Sequence, residues 1–351
     1  MVYFPTGSQL KASFGAAMPQ YFVNSAEEKA EKALQSAEAE VGKLVKPTEP
    51  IPLYSYEYFK YCTIGGIIAC GPTHASVTPL DVVKCRLQVD KSLYKGNFDG
   101  WRQIIRTEGA GGLFTGFGAT LIGYSLQGAG KYGLYEFFKY KYGQLVGEDI
   151  ATNYKTSLFL VASASAEFFA DILLCPWEAV KVKTQTTLPP QPGLVFSHFG
   201  KALSTDGWAG LYRGLVPLWA RQIPYTMVKF ATFENTVIAI YNQLPGEKAD
   251  YSPLAQTGVS FLGGYIAGVF CAVVSHPADV MVSKVNNDRK AGESLGSAMG
   301  RIYSKIGFGG LWTGLGTRII MVGTLTGLQW LLYDSFKAYV GLPTSGGGQK
   351  K

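Results

Sequence analysis

Charged residues are scarce in this chain of 351 residues, where they make up 16% of the sequence. A typical soluble domain carries about 25% charged residues. Hydrophobic residues account for 47%, which leaves little polar surface for a soluble fold. The formal net charge is +7, which suits an anionic membrane surface or an anionic solute.

Signatures of enzymes and metal sites are missing as well. The chain has no His-Glu-x-x-His motif, and it lacks the strand-then-helix context of a nucleotide-binding loop or a nucleophile elbow. The five cysteines form no C-x-x-C pair and no His/Cys metal spacing, so we expect buried reduced thiols. We therefore predict no enzyme, no catalytic residue, no cofactor, no bound metal and no nucleic-acid partner.

The first 50 residues contain no arginine and six glutamates, so they do not resemble an arginine-rich transit peptide. Apolar residues over positions 30–44 recur at spacings of three and four, which predicts one amphipathic helix. Three prolines follow at Pro47, Pro50 and Pro52 and predict a linker. Residues 1–50 are therefore interpreted as an N-terminal extension.

A short block of sequence recurs three times, about one hundred residues apart. It reads TPLDVVKCR at 78–86, CPWEAVKVK at 175–183 and HPADVMVSK at 276–284. Two further blocks recur in phase with it. The copies are GAGGLFTG, GWAGLYRG and GFGGLWTG at 109–116, 207–214 and 307–314, and YEFFK, FENTV and YDSFK at 135–139, 233–237 and 333–337. Three blocks repeated in one order predict three similar structural units.

Each unit contains two long apolar stretches, which run over 58–87, 116–142, 154–184, 214–243, 252–285 and 314–340. Each exceeds the roughly 20 residues that a transmembrane helix needs. We predict an all-α membrane protein with six transmembrane helices in three pseudo-symmetric two-helix repeats, and short helices between the pairs. The predicted divisions are the extension 1–50, repeats 51–150, 151–248 and 249–342, and a flexible tail 343–351.

The first block places a proline and an acid inside each odd-numbered span. A proline kinks a helix, and a charge inside a membrane must pair or face water. Three kinked helices would converge into a charged ring, here named the proline gate, whose residues are Pro79, Asp81, Lys84, Pro176, Glu178, Lys181, Pro277 and Asp279. The third block predicts a second ring at the opposite end, named the aromatic–acid gate, formed by Glu136, Lys139, Glu234, Asp334 and Lys337. Two gates around one cavity suit alternating access.

The triplicated P-x-[DE]-x-x-[KR] and [FY]-[DE]-x-x-[KR] motifs, with the glycine-rich block between them, resemble the mitochondrial carrier family over residues 51–342. Within it the similarity is strongest to phosphate-transporting members of the fungal type. The resemblance implies a monomer in the mitochondrial inner membrane, with both termini in the intermembrane space and the proline gate on the matrix side. It also implies one central site, import of inorganic phosphate with a proton or in exchange for hydroxide, and lipid such as cardiolipin at the matrix-side helix N-termini.

Residues that break the three-fold symmetry are candidates for solute recognition. Five residues before the motif prolines come His74, Asp171 and Ala272, and nine before Pro176 comes Glu167, where the other repeats have small residues. Titratable groups at mid-membrane depth are rare and usually functional. Together with the family resemblance, this predicts a proton-coupling set of His74, Glu167, Asp171 and Glu178.

Cations and hydrogen-bond donors inside the even-numbered spans form the predicted anion site. Lys131 and Lys229 lie at equivalent positions in the first two repeats, while the third has Gln329 there. An anion inside a membrane needs charge-assisted donors of this kind. The predicted substrate-binding set is Gln127, Lys131, Arg221, Gln222, Tyr225 and Lys229.

Each predicted gate lacks one base. Val282 stands where Lys84 and Lys181 occur, and Val237 stands where Lys139 and Lys337 occur. If each acid pairs with the base of the next repeat, Glu178 and Glu136 have no partner, and we expect Glu178 to take up the proton with a His74/Glu167 pair as relay.

Two other cargoes remain as alternatives. Arg221-Gln222 resembles the pair that dicarboxylate and keto-acid carriers use. Cys62 and Cys70, eight residues apart on similar helix faces, suit copper, because soft thiolates bind Cu(I).

Overall fold

A computed structural model describes residues 51–90, 92–189, 193–288 and 295–346 of this chain. The amphipathic helix predicted over positions 30–44 lies outside the described residues. Over the described ranges the chain forms eleven α-helices and no strand. They are α1 Tyr56–Ser76, α2 Thr78–Val89, α3 Asn97–Glu108, α4 Phe117–Val146, α5 Glu148–Asn153, α6 Lys155–Thr186, α7 Val195–Leu211, α8 Leu215–Gln243, α9 Pro253–Asp288, α10 Leu295–Gly310 and α11 Leu315–Tyr339.

The long helices form a closed ring. Starting from α1, each packs against the next in the order α4, α6, α8, α9 and α11, and α11 returns to α1. Within each pair of long helices the connection carries one short helix: α3, α7 or α10. The prediction of three two-helix repeats is confirmed, and the helix bounds lie within a few residues of the predicted apolar stretches.

Two helices in the described part of the chain are long and apolar enough to cross a membrane by length and composition alone. They are Lys155–Thr186 and the Pro253–Met281 portion of α9. The other long helices carry more polar side chains, many of which are buried inside the ring. Polar groups of this kind are tolerated in a membrane when neighbouring helices satisfy them.

The three motif prolines act differently on their helices. Pro176 and Pro277 lie inside the continuous helices α6 and α9, whereas the first repeat breaks at Val77, with φ −91° and ψ 4°, between α1 and α2. Hydroxyl groups satisfy carbonyls around this break: Thr78 Oγ1 donates to Ala75 O at 2.7 Å, and Thr73 Oγ1 donates to Ala69 O at 2.6 Å. The Ala75 carbonyl is the one whose helical N–H partner is missing at Pro79, so the Thr78 hydroxyl replaces that backbone bond.

Glycine permits the closest helix crossings. A Cβ atom on Gly66 would overlap the carbonyl oxygen of Gly128, and a Cβ on Gly268 would meet the backbone of Gly323. Small residues at these positions bring α1 against α4 and α9 against α11 at backbone contact, as in many membrane helix pairs. Because the backbones touch at these glycines, each helix has a fixed position along its partner. The polar side chains of the two helices are therefore held at fixed positions relative to one another.

The chain after α11 is packed against the ring. Thr344 and Ser345 are 6% and 5% exposed, and Leu342 is 4% exposed. Within the tail predicted from residue 343, Thr344 and Ser345 form hydrogen bonds with side chains of the ring. Residues 347–351 lie outside the described residues.

Candidate functional site

A buried polar network joins α4 and α6 at the centre of the ring. The Lys131 ammonium lies 3.0 Å from Glu167 Oε2, and Gln127 Nε2 donates to Glu167 Oε1 at 2.8 Å and to Asp171 Oδ1 at 3.1 Å. All four side chains are at most 5% exposed. Each helix contributes two residues four apart, so one turn of α4 faces one turn of α6.

The network carries an uncompensated charge. Lys131 contributes one positive charge, while Glu167 and Asp171 contribute one negative charge each when ionised, which leaves a net −1. Asp171 Oδ2 is buried and has no hydrogen-bond partner among the described residues. A buried carboxylate without compensation is costly, so this cluster is suited to accept a proton.

A second network joins side chains from all three repeats. Lys229 Nζ donates to Gln329 Oε1 at 2.5 Å, and Gln329 Nε2 lies 3.3 Å from His74 Nδ1. His74 Nδ1 also lies 2.9 Å from Cys70 O, and the ring stacks on Tyr124 with centroids 3.9 Å apart. One nitrogen cannot accept from Gln329 while donating to Cys70, so the two contacts correspond to alternative tautomers.

The predicted His74/Glu167 pair is not formed in this structure. Over the described ranges no hydrogen bond joins these two side chains, because Glu167 is engaged by Lys131 and His74 by the second network. Lys131 and Lys229 are nevertheless both buried, so each of the two networks contains one buried ammonium group.

The remaining members of the predicted substrate set lie on α8. Arg221 is exposed within the ring, and no carboxylate of the described chain lies within 4.0 Å of it. Gln222 and Tyr225 are half-buried on the same helix. The Arg221 guanidinium, without an ion-pair partner among the described residues, is thus available to bind an anion.

The proline gate is partly formed. Lys181 Nζ donates to Asp81 Oδ2 at 3.0 Å, which is the predicted pairing of one repeat's acid with the next repeat's base. Glu178 has only the ammonium of Lys181 at 3.6 Å, and its Oε2 has no hydrogen bond among the described residues. The backbone of Val282 lies in α9, but its side chain is outside the described set.

Lys84 is exposed and does not close the ring. The carboxylate of Asp279 is held instead by Arg318, which also donates to Ser275 Oγ at 3.0 Å. Arg318 was missed by the sequence reasoning, which considered only bases inside the repeated motif. The sequence did contain a signal for Arg318, because it is a cation inside an apolar span of the third repeat.

The acids of the first two repeats are engaged in the aromatic–acid gate, in a different order from the one predicted. Lys139 bridges Glu136 at 3.0 Å and Glu234 at 3.3 Å, so the base of the first repeat reaches the acid of the second. Tyr58 OH donates to Glu136 at 3.0 Å, and Tyr135 OH donates to Glu234 at 3.1 Å. The expectation that Glu136 has no partner was wrong, because Lys139 of its own repeat and Tyr58 both contact its carboxylate.

Lys337 is 2% exposed, and its ammonium lies 5.3 Å from the ring centroid of Tyr333 and 5.9 Å from that of Tyr58. Below the gate, a buried aromatic cluster fills the centre, with Tyr132 and Trp330 in edge contact at 5.2 Å. Ion pairs and packed rings together close this end of the ring.

The comparison with known families agrees with this architecture. A family model described as mitochondrial carrier protein matches residues 55–145, 153–243 and 255–343, one match per repeat. The chain belongs to the mitochondrial carrier family. The carrier is therefore a multi-pass protein of the mitochondrial inner membrane, and it is a transporter rather than an enzyme.

Individual relatives cover most of the carrier. A Schizosaccharomyces pombe protein named probable mitochondrial phosphate carrier protein is 55% identical over 300 residues, which span 86% of this chain and 96% of the relative. An Arabidopsis thaliana mitochondrial phosphate carrier protein 3 is 51% identical, over 87% of this chain and 80% of the relative. Human solute carrier family 25 member 3 is 49% identical, over 82% of this chain and 78% of the relative.

Proposed function

We propose that this carrier imports inorganic phosphate into the mitochondrial matrix together with a proton, by alternating access. The names of relatives at about half identity over most of the chain support phosphate as the cargo. The observation that carries the proposal is a pair of buried lysines, Lys131 and Lys229, on two even-numbered helices of a closed helical ring.

An anion between the two ammonium groups would relieve their repulsion. Phosphate oxygens accept charge-assisted hydrogen bonds from lysine and arginine, and such bonds are stronger than neutral ones. Arg221, without an ion-pair partner on the described chain, would supply a further charge as the anion enters. Gln127, Gln222 and Tyr225 offer neutral donors and complete the proposed substrate set.

The same geometry couples phosphate to a proton. When Lys131 turns toward phosphate, Glu167 loses its cation, and the net charge of this network changes from −1 to −2 while both carboxylates stay ionised. Two carboxylates that share one amide cannot both stay charged in a low-dielectric site, so the pair takes up a proton. Phosphate binding then draws in a proton without any direct contact between the two.

Glu178 is the proposed second proton group, at the proline gate. Among the described residues, the one cation within 4.0 Å of it is Lys181 at 3.6 Å, and Lys181 is shared with Asp81. A proton on Glu178 would leave Lys181 to Asp81 alone. His74 is joined to Lys229 through Gln329. If Lys229 leaves Gln329 to bind the anion, the hydrogen bonds of His74 change with it.

The proposed transport cycle uses the two gates in turn. In the proposed orientation the aromatic–acid gate faces the intermembrane space, the proline gate faces the matrix and both termini lie in the intermembrane space. Closing one gate while the other opens exposes the central site alternately to either side.

The cargo is tested by uptake into liposomes that contain the purified carrier. Radiolabelled phosphate should accumulate when the interior is more alkaline than the medium, and uptake should collapse when the pH gradient is removed. Malate and Cu(I), the two alternative cargoes, serve as comparators at matched concentrations. Faster uptake of either comparator than of phosphate would overturn the assignment.

The proton site is tested with two isosteric variants that cannot lose a proton. Asp171→Asn and Glu178→Gln remove one carboxylate each and preserve side-chain size. We expect phosphate exchange without a pH gradient to persist in both variants, and the pH dependence of net uptake to be reduced by tenfold or more in Asp171→Asn. Net uptake with unchanged pH dependence in both variants would exclude these carboxylates as proton carriers.

A further inference from the structure

The third position of the aromatic–acid gate has an acid but no base. Asp334 is fully buried at 0% exposure. The base that the pairing order assigns to it would come from the second repeat, where Val237 stands. Within the part of the chain that the structure describes, no lysine or arginine lies within 4.0 Å of the Asp334 carboxylate. A buried, unpaired carboxylate needs other donors.

The segment after α11 supplies those donors. Ser345 donates its backbone N–H to Asp334 Oδ1 at 2.9 Å and its hydroxyl to the same atom at 2.8 Å. Ser260 Oγ donates to Asp334 Oδ2 at 2.5 Å from α9. A Cβ atom on Gly346 would overlap the side chain of Val237. The segment therefore occupies the space into which a lysine at position 237 would extend.

A lysine outside the long helices holds the segment in place. Lys248, in the short 3₁₀ turn Lys248–Asp250, donates to Thr344 O at 2.6 Å and to Ser345 O at 2.8 Å. Thr344 Oγ1 donates to Gln256 Oε1 at 2.8 Å at the start of α9. The Lys248 ammonium thus anchors, through two backbone carbonyls, the segment that lies where the missing base of the gate would be.

We propose that residues 341–346 form a latch that replaces the missing lysine of the aromatic–acid gate and must be released before that gate opens. Ser345 and Lys248 are its positioning residues. Charge-assisted bonds from a backbone N–H and a hydroxyl to a buried carboxylate are strong enough to close the gate. The latch rests on the alternating-access cycle proposed above and not on phosphate as the cargo.

The latch can be tested without any transported solute. Cys62 is fully buried and lies beside Tyr58 and Tyr333, two tyrosines of the gate. Its reaction with a small polar thiol reagent, followed by peptide mass spectrometry on the purified carrier, reports gate opening. Cys175, whose thiol donates to Leu211 O at 3.5 Å beside α7, is the internal control for general loosening.

Three variants separate a latch from a merely structural tail. The first ends at Pro343. The second combines this truncation with Val237→Lys, which restores the motif base, and the third combines it with Val237→Met, which restores only bulk. Loss of charge-assisted bonds worth about tenfold each should raise Cys62 labelling about tenfold or more in the truncated chain, with Cys175 unchanged.

Val237→Lys should return Cys62 labelling toward the wild-type rate, because its ammonium can pair with Asp334, and Val237→Met should not. Ser345→Ala in the full chain removes only the hydroxyl and keeps the N–H donor, so its effect should be smaller than that of truncation. Equal rescue of Cys62 labelling by Val237→Met, or equal increases in labelling at Cys62 and Cys175, would overturn the latch. So would unchanged Cys62 labelling in both the truncated chain and Ser345→Ala.

Discussion

The two gates follow one repeated plan but differ in how deeply their charges are buried. In the aromatic–acid gate, the paired carboxylates of Glu136 and Glu234 are each 4% exposed. In the proline gate, Asp81 and Asp279 are 29% and 27% exposed. Coulombic attraction strengthens as the local dielectric falls, so pairs of similar length hold the aromatic–acid end more firmly. The structure is therefore more tightly closed at the aromatic–acid end.

The largest expected effect comes from removing the base that bridges two buried acids. Lys139→Ala leaves both Glu136 and Glu234 without their cation, and losing one partner of a buried pair costs about 3 kcal/mol or more. We expect a clear fall in the midpoint of thermal unfolding of the detergent-purified carrier.

Lys84→Ala is the matched control, because it truncates the equivalent base of the proline gate. Lys84 is exposed, and the change should alter the free energy of unfolding by about 0.5 kcal/mol or less. Equal shifts in the two variants would contradict the contrast between a buried and an exposed gate.

An intermediate effect is expected at Arg318, which pairs with Asp279 where the motif order predicted Lys84. Arg318→Gln removes the cation from Asp279, but both side chains are about a quarter exposed, so solvent screening limits the loss to about 1 kcal/mol. Thermal unfolding of this variant is compared with that of Arg221→Gln, which loses no ion pair on the described chain. A larger destabilisation in Arg221→Gln would mean that Arg221 has a structural partner.

The smallest effect concerns pH and the latch. Burial lowers the pKa of Lys248 from 10.5 to about 8, partly offset by Asp334, while Lys337, Glu234 and Lys139 also act on it. Between those two values the unfolded chain keeps a proton that the folded carrier has released, so folding stability rises with pH in this window.

Lys248→Met removes that titration. The wild type should therefore gain thermal stability relative to the variant as pH rises from about 8 to 10.5, while the difference stays constant below pH 7. A difference that shrinks with rising pH would show that the folded state favours the charged form of Lys248.

The parts of the fold that depend on local pattern were predictable. The six long helices follow from apolar runs long enough to span a bilayer, and the three-fold plan follows from the spacing of Pro79, Pro176 and Pro277. Glu167 and Asp171 stood out because they interrupt that symmetry, and the structure places them in one network with Lys131. Their roles in transport remain predictions.

The partners of the gate residues were less predictable, since they join residues about one hundred positions apart in sequence. Motif counting identified two missing bases but gave the wrong pairing direction at the aromatic–acid gate, and so left Glu136 rather than Asp334 without a base. It could not indicate that Arg318 would take the place of Lys84, because that contact depends on how α9 and α11 cross.

By itself, the sequence determined the six long apolar spans, their order and the positions where charge enters them, because these depend on composition and short-range spacing. Only the tertiary structure decided which charges meet and that residues 343–346 fold back onto Asp334. The physical reason is distance: an ion pair or a charge-assisted bond forms over about 3 Å, and only the packing of the ring brings distant repeats that close.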